Sequence, residues 1–188
     1  MKQKSAGFSM LEILIALVIS LVTLMGAAGL VVRTVQQEVE AVQRLQALTL
    51  VQDMVERINV NRLVAACYSN AANGITVGAD VNKAGLPDCT AGTANQNDRA
   101  EADIDEWHDL LTGISVQNAA TTNIGAMINA RGCITQENAA TNTYRVSVAW
   151  QGLSDTTEPN NACGDGLYST DDSRRTVSML VRIGDLGA

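Results

Sequence analysis

Residues 8–32 read FSMLEILIALVISLVTLMGAAGLVV, and this stretch decides how the 188-residue chain is organised. It contains one charged side chain, Glu12. A helix rises 1.5 Å per residue, so these residues would form a helix about 37 Å long, which exceeds the roughly 30 Å hydrocarbon core of a bilayer. We therefore expect residues 8–32 to cross a membrane as a helix.

The flanking charges predict the direction in which this helix crosses. Residues 1–7 (MKQKSAG) carry Lys2 and Lys4 and no acidic residue, and positively charged flanks stay on the cytoplasmic side. The residues beyond Arg33 are then expected outside the cytoplasm. The alternative is a secretory signal cleaved near residues 27–29, but the apolar core of such a signal spans about 7–15 residues and lacks a carboxylate.

Glu12 is the unusual residue of the apolar stretch. A carboxylate at bilayer depth costs a few kcal/mol to insert. The sequence allows two interpretations: either Glu12 lies near the cytoplasmic interface and stays hydrated, or it pairs with a cation that another chain supplies.

The segment Gly7–Glu12 (GFSMLE), between a short basic leader and a long apolar run, resembles the class III signal of type IV pilins and type II secretion pseudopilins. The resemblance implies that a prepilin peptidase cleaves after Gly7 on the cytoplasmic side and methylates the new amino group of Phe8, while the apolar stretch is kept. It also implies that Glu12 pairs with the free N-terminal amine of a neighbouring subunit during assembly.

Residues 33–66 continue the helix and contain neither proline nor glycine. Apolar side chains recur there at the three-to-four-residue spacing of a helix face. They are Val35, Val39, Val42, Leu45, Leu48, Val51, Val55 and Ile58. Leu50 and Met54 broaden this face toward its C-terminal end, which favours packing against a sheet over a free coiled coil. The pattern predicts one helix from Phe8 to Ala66.

The strongest strand patterns lie near the C-terminus. Apolar and polar residues alternate over Thr143–Gly152 and again over Arg175–Gly184, which predicts two antiparallel strands with one buried face each. Shorter strands are predicted at Ile75–Val77, at Ile114–Val116 and around Cys133 within residues 125–136.

A short second helix is predicted between the shorter strands. Asp98 is the N-cap candidate, with Glu101 three positions later, and Trp107 lies on the apolar face that follows. The expected fold class is therefore α+β, with a long N-terminal helix packed on an antiparallel sheet, and this arrangement resembles the pilin fold. The expected organisation is a leader at 1–7, a membrane or filament-core segment at 8–32, an amphipathic segment at 33–66 and a periplasmic head at 67–188.

The four cysteines all follow the apolar stretch, in a compartment that the topology makes oxidising. They are Cys67, Cys89, Cys133 and Cys163. Disulfides are expected there, so the head would have disulfide-stapled loops. Four cysteines allow three pairings, and we favour sequential pairing because it closes local loops. A zinc site is less favoured because no two cysteines have the close spacing of common sites.

Composition and motifs argue against several other functions. The net charge is −7, with a sequence pI of about 4.6, and loss of Lys2 and Lys4 would leave 11 basic and 20 acidic side chains, or −9. Nucleic-acid binding is therefore not expected.

His108 is the only histidine and is expected at the surface, without an assigned nucleophile. Neither an enzyme nor a cofactor is predicted. The acidic loop 154–173 could hold calcium, but it lacks the ligand alternation of an EF-hand, so a hydrated loop is preferred.

The resemblance implies a function as well as a fold. It implies a minor pilin of a type IV pilus, a non-enzymatic component of a priming and tip complex that initiates pilus assembly and supports twitching motility and adhesion. Its partners would be other minor pilins, the major pilin, the prepilin peptidase and a tip adhesin, in a hetero-oligomer. It would cross the inner membrane once and later reside in the extracellular pilus. The alternative is a minor pseudopilin of a type II secretion system.

Overall fold

The computed structural model describes residues 9–114, 116–120, 123 and 127–184. Helix α1 runs over Met10–Val60 without interruption. The prediction that this helix extends to Ala66 is wrong, because the backbone leaves the α-helical region at Asn61 (φ −103°, ψ 36°) and a 3-10 helix over Arg62–Ser69 follows. The predicted start at Phe8 lies outside the described residues.

The chain divides into two compact units, Met1–Ala41 and Val42–Ala188. In the first unit, the large apolar side chains between Met10 and Val32 are 50–87% exposed. In the second unit, four residues of α1 are fully buried, namely Ala47, Val51, Met54 and Ile58. The same helix therefore exposes its apolar surface in one unit and buries it in the other.

The second unit is built on a four-stranded antiparallel sheet. Its strands are β1 (Ile75–Gly78), β2 (Arg131–Asn138), β3 (Thr143–Gln151) and β4 (Arg174–Arg182), paired in the order β1-β2-β3-β4. The structure confirms the strands predicted at residue 75, around Cys133 and at both alternating segments. The antiparallel pairing of β3 with β4, with Val146 opposite Met179, is also as predicted.

One face of this sheet forms the main core with the buried residues of α1. Tyr144, Val146, Val148 and Trp150 of β3 are all buried, as their alternation predicted. Burying an aliphatic or aromatic side chain of this kind is worth roughly 1.5–3 kcal/mol. The period-two pattern of β3 thus fixes which side of the sheet receives α1.

The opposite face of the sheet is not solvated as the alternation suggested. Ser147 and Ala149 are buried, because the loop between β3 and β4 folds over them. Cys163 of this loop is bonded to Cys133 of β2, and Tyr168 packs beside the disulfide. Alternation could not reveal this cover, since the covering residues come from an aperiodic loop.

Helix α2 covers Ala94–Thr112 and begins earlier than predicted. Thr93, not Asp98, is the N-cap: its side chain accepts from the N–H of Gln96, and the Gln96 side chain returns to the Thr93 backbone. Both segments satisfy the capping-box pattern, and the upstream box adds a full turn to the helix.

The helix α2 ends at Gly113, whose positive φ of 70° suits glycine. The strand predicted at Ile114–Val116 is wrong for its described residues: Ile114 lies in the turn after Gly113 and Val116 lies in a bend, while Ser115 lies outside the described residues.

Candidate functional site

The start of α1 carries the residues predicted to govern assembly. Ser9 caps the helix, because its Oγ accepts from the N–H of Leu11 at 3.1 Å and its carbonyl accepts from the N–H of Glu12 at 3.0 Å. Glu12 lies in the first helical turn, where the N-terminal end of the helix dipole favours a negative charge. Gly7 and Phe8 lie outside the described residues, so cleavage, methylation and the pairing of Glu12 remain predictions.

The apolar part of α1 has the length and composition of a membrane-spanning helix. Its most apolar 18-residue window has a mean hydropathy of 2.6, and none of that window is buried within the protein. A surface of this kind is unstable in water and must be covered by lipid or by another protein.

The outer half of α1 is fastened to the head by a cluster of charges. Arg57 lies 2.8 Å from Asp53, 3.0 Å from Asp103 and 2.7 Å from Glu106. Hydrogen bonding to Glu106 is the main reason that the pKa of Arg57 is raised, and the same contact lowers the pKa of Glu106. Because Arg57 is on α1 and its last two partners are on α2, the cluster fixes the two helices together.

Asp103 is the buried centre of this cluster, with 2% of its surface exposed. It accepts from the Tyr68 hydroxyl at 2.6 Å and pairs with Arg99 at 3.0 Å as well as with Arg57. Burial, followed by the hydrogen bond to Asp103, raises the pKa of Tyr68, so this phenol stays protonated and donating.

Asn61 extends the network, since its Nδ2 donates to Gln96 O at 2.9 Å and to the Tyr68 hydroxyl at 3.3 Å. Its side chain therefore fixes the position at which α1 ends. The sequence does not reveal the cluster, because its charges belong to two helices whose relative placement depends on the fold.

Two disulfides cross-link the head. Cys67 bonds to Cys89, and Cys133 bonds to Cys163, with sequence separations of 22 and 30. These are the sequential pairs that the sequence favours. In the chain-entropy model, loops of this size are each worth about 3–4 kcal/mol of stability. The first bridge ties the segment after α1 to the chain preceding α2, and the second holds the β3–β4 loop on the sheet.

The acidic loop converges on a buried arginine. Arg174 is 1% exposed, and its guanidinium lies 3.2 Å from Asp171, 3.3 Å from Asp165 and 3.8 Å from Glu158. The carboxylate oxygens of these three acids lie within 4.8 Å of one another, which is compact enough for a cation. Arg174 itself supplies positive charge there. It also donates to the carbonyls of Cys163, at 3.1 Å, and of two further loop residues, Asn161 and Pro159.

His108 is not at the surface, so that expectation is wrong. It is 5% exposed, on the face of α2 that packs against β1, and its Nδ1 accepts from the N–H of Gly78 at 3.2 Å. Burial, and then the charge of Lys83, lower its pKa. A neutral His108 thus holds the end of β1 in place, which is a structural role.

An open groove of about 860 Å³ lies on the outer face of the sheet beside the Cys133–Cys163 bridge. Its lining includes the ion pair between Arg145 and Glu137 at 2.9 Å. His108, the only histidine of the chain, is not among its lining residues. The groove therefore does not join a histidine base to any of its hydroxyl side chains.

Comparison with known proteins gives two family matches. Residues 2–28 match the prokaryotic N-terminal methylation motif, and residues 29–105 match the model for type IV pilin Tt1218. No curated protein and no solved structure matches the chain. The two matches cover adjoining segments, and together they support the type IV pilin superfamily and a pilin-type structural protein.

Proposed function

We propose that this chain is a minor pilin of the type IV pilus, a non-enzymatic subunit of the priming and tip complex that initiates pilus assembly. The observation that carries the proposal is the matched methylation motif at residues 2–28, which overlaps the start of a helix whose apolar side chains are exposed. Lipid covers such a helix before assembly, and neighbouring subunits cover it afterwards. A pilin-type structural protein requires this replacement of lipid by neighbouring subunits around its helix.

Processing of the N-terminus prepares Glu12 for assembly. Cleavage after Gly7 by the prepilin peptidase removes the basic leader and exposes the amino group of Phe8, which is methylated. Opposite charges attract more strongly in a medium of low dielectric constant than in water, although desolvation offsets much of the gain. Glu12 therefore selects and registers a neighbour, and contributes little net stability.

The head supplies a second line of support for the minor-pilin role. The strand segment 144–152 (YRVSVAWQG) resembles that of the minor pilin PilV. By that resemblance, the partners are other minor pilins, the major pilin and a tip adhesin. The chain crosses the inner membrane once with its head in the periplasm, and then moves to the pilus tip, where it supports twitching motility and adhesion.

Deletion and complementation in the native host test this role. We expect loss of surface pili and of twitching, restored by the intact gene, with exoprotein secretion unchanged. Mass spectrometry of the purified protein should find an N-terminus at methylated Phe8. Normal piliation in the deletion strain, or an N-terminus beyond Ala28, would contradict the proposal.

A minor pseudopilin of type II secretion is the second candidate. The leader, Glu12 and the helix-on-sheet head support both functions equally, because both classes share the resemblance that these features carry. The deletion strain separates them: loss of exoprotein secretion with normal twitching would replace the pilus assignment with the secretion one.

A further inference from the structure

Strand β4 forms one edge of the sheet. At its two ends, Ile183 donates to Asn142 O at 2.9 Å and Ser173 O accepts from Gly152 at 2.8 Å. Backbone groups of an antiparallel strand point to alternate sides. The odd-numbered residues of β4 therefore bond to β3, and the backbone N–H and C=O groups of Thr176, Ser178, Leu180 and Arg182 point away from the sheet.

Within the part of the chain that the structure describes, protection of this edge against pairing is limited to charged side chains at its two ends, Arg174, Arg175 and Arg182. Most native edges are short, bulged, covered or interrupted by proline or lysine, whereas β4 has nine residues in unbroken register with β3 and contains neither residue type. No residue that the structure describes bonds to the outward groups of Thr176, Ser178, Leu180 or Arg182.

Among the described residues, a loop residue already pairs with this edge just before β4 begins. The N–H of Thr156 donates to Asp172 O at 2.8 Å. By the same alternation, Asp172 O points to the outer side of the strand. The outer side of the edge is thus geometrically able to bind a further backbone. The hydrogen bond from Thr156 lies just before the part of β4 whose outward groups are exposed.

Side chains along the free edge indicate the chemistry of an occupant. Leu180 is 55% exposed on the outer face of the sheet. Arg182 is exposed on the same face, and it makes no ion pair with any described residue. An added strand would therefore gain from an apolar residue beside Leu180 and a carboxylate beside Arg182.

We propose that the β4 edge binds an extended, acidic segment of another polypeptide, which adds a fifth strand to the sheet through residues 176–182. Main-chain hydrogen bonds would supply affinity, and Leu180 and Arg182 would supply selectivity. The pairing goes beyond the proposed function, since assembly through α1 does not require it. A second copy is disfavoured as occupant because its own β4 contains three arginines and no carboxylate to place beside Arg182.

Peptide binding to the full-length protein in detergent tests the proposal. The probe is a fluorescein-labelled nine-residue peptide with blocked ends, alternating threonine and valine, with glutamate at one end; a matched peptide carries lysine instead. Fluorescence polarisation should show the acidic peptide binding more tightly. Ser178→Pro removes an outward N–H without losing a bond to β3, and should weaken binding by about tenfold or more, whereas Ser178→Ala should not.

Reversal of the charge at Arg182 provides a second test that is independent of the Ser178 variants. Arg182→Glu should weaken the acidic peptide and make the lysine peptide the tighter ligand, a reversal that mere loss of stability would not produce. Absence of binding to the native protein, or equal binding by Ser178→Pro and Ser178→Ala, would overturn the proposal. A dimer of the native chain that Ser178→Pro abolishes would assign the edge to a second copy instead, and would equally overturn it.

Discussion

Single residues that belong to no recognisable motif hold the head together. Asp103 lies in the middle of α2 and has no special spacing, yet it is buried and accepts from Tyr68, Arg57 and Arg99. Its role depends on the placement of α1 against α2, so the sequence could predict the helices but could not predict their shared acid.

Replacing this acid should be costly. Asp103→Asn keeps the volume of the side chain but removes the charge between two arginines, and we expect a loss of about 2–4 kcal/mol in the free energy of unfolding. Denaturant unfolding of the full-length protein in detergent, followed by the fluorescence of the buried Trp107 and Trp150, measures it. Asp105→Asn, on the exposed side of the same helix, is the matched control and should change stability by less than about 0.5 kcal/mol. Equal effects would contradict the central role of Asp103.

His108 predicts a specific dependence on pH. Because its pKa is lowered in the folded protein, the unfolded chain binds a proton more readily below the ordinary value of about 6.5. Stability is therefore fully present above that value and is lost as the pH falls toward the folded pKa. The N–H of Gly78 also loses its acceptor when Nδ1 is protonated.

The matched variant isolates this contribution. We expect the free energy of unfolding to fall between about pH 7 and 5.5 in the native protein and to change less in His108→Gln. The two proteins differ only in this side chain, so the difference between their pH profiles reports His108. Parallel pH profiles would show that His108 does not titrate in this way.

Helices and strands were predictable where their hydrophobic periodicity is determined by packing against a single neighbouring layer. β3 and β4 alternate because a single face meets the core, and both were predicted within one or two residues. The start of α2 was not, because Thr93 and Asp98 each begin a valid capping box. The end of α1 was not predictable for a different reason. The side chain of Asn61 donates a hydrogen bond to α2, and the sequence of α1 alone carries no information about this contact.

The β3–β4 loop has no periodicity, and its structure depends on Arg174. Arg174→Met should release carbonyls and carboxylates that a buried guanidinium now binds, and we expect a loss of about 2–4 kcal/mol in unfolding free energy. Limited proteolysis should then cut residues 153–170 faster. Arg182→Met is the control, since Arg182 is exposed on the same strand. Unchanged proteolysis in Arg174→Met would show that the disulfide alone holds the loop.

At the scale of the whole molecule, the sequence predicted that the apolar stretch is helical, but it did not predict which contacts hold the rest of the helix against the head. The long helix, the sheet and the disulfide pairs followed from hydropathy, alternation and cysteine spacing. The covering loop, the Arg57 cluster and the free edge of β4 arise only from tertiary placement.

Assembly of the whole molecule depends on Glu12 in the proposed function. We expect Glu12→Ala and Glu12→Lys to insert into the membrane normally, because neither change shortens the apolar helix, and to be incorporated into filaments poorly, because the attraction for a neighbour's N-terminal amine is lost. Membrane fractionation and quantification of the protein in sheared pili measure the two steps. Glu38→Ala, on an exposed position of the same helix, should behave like the native protein. Mass spectrometry must show normal cleavage after Gly7, since a processing defect would mimic the assembly defect. If correctly processed variants enter filaments at the native level, Glu12 has no role in assembly.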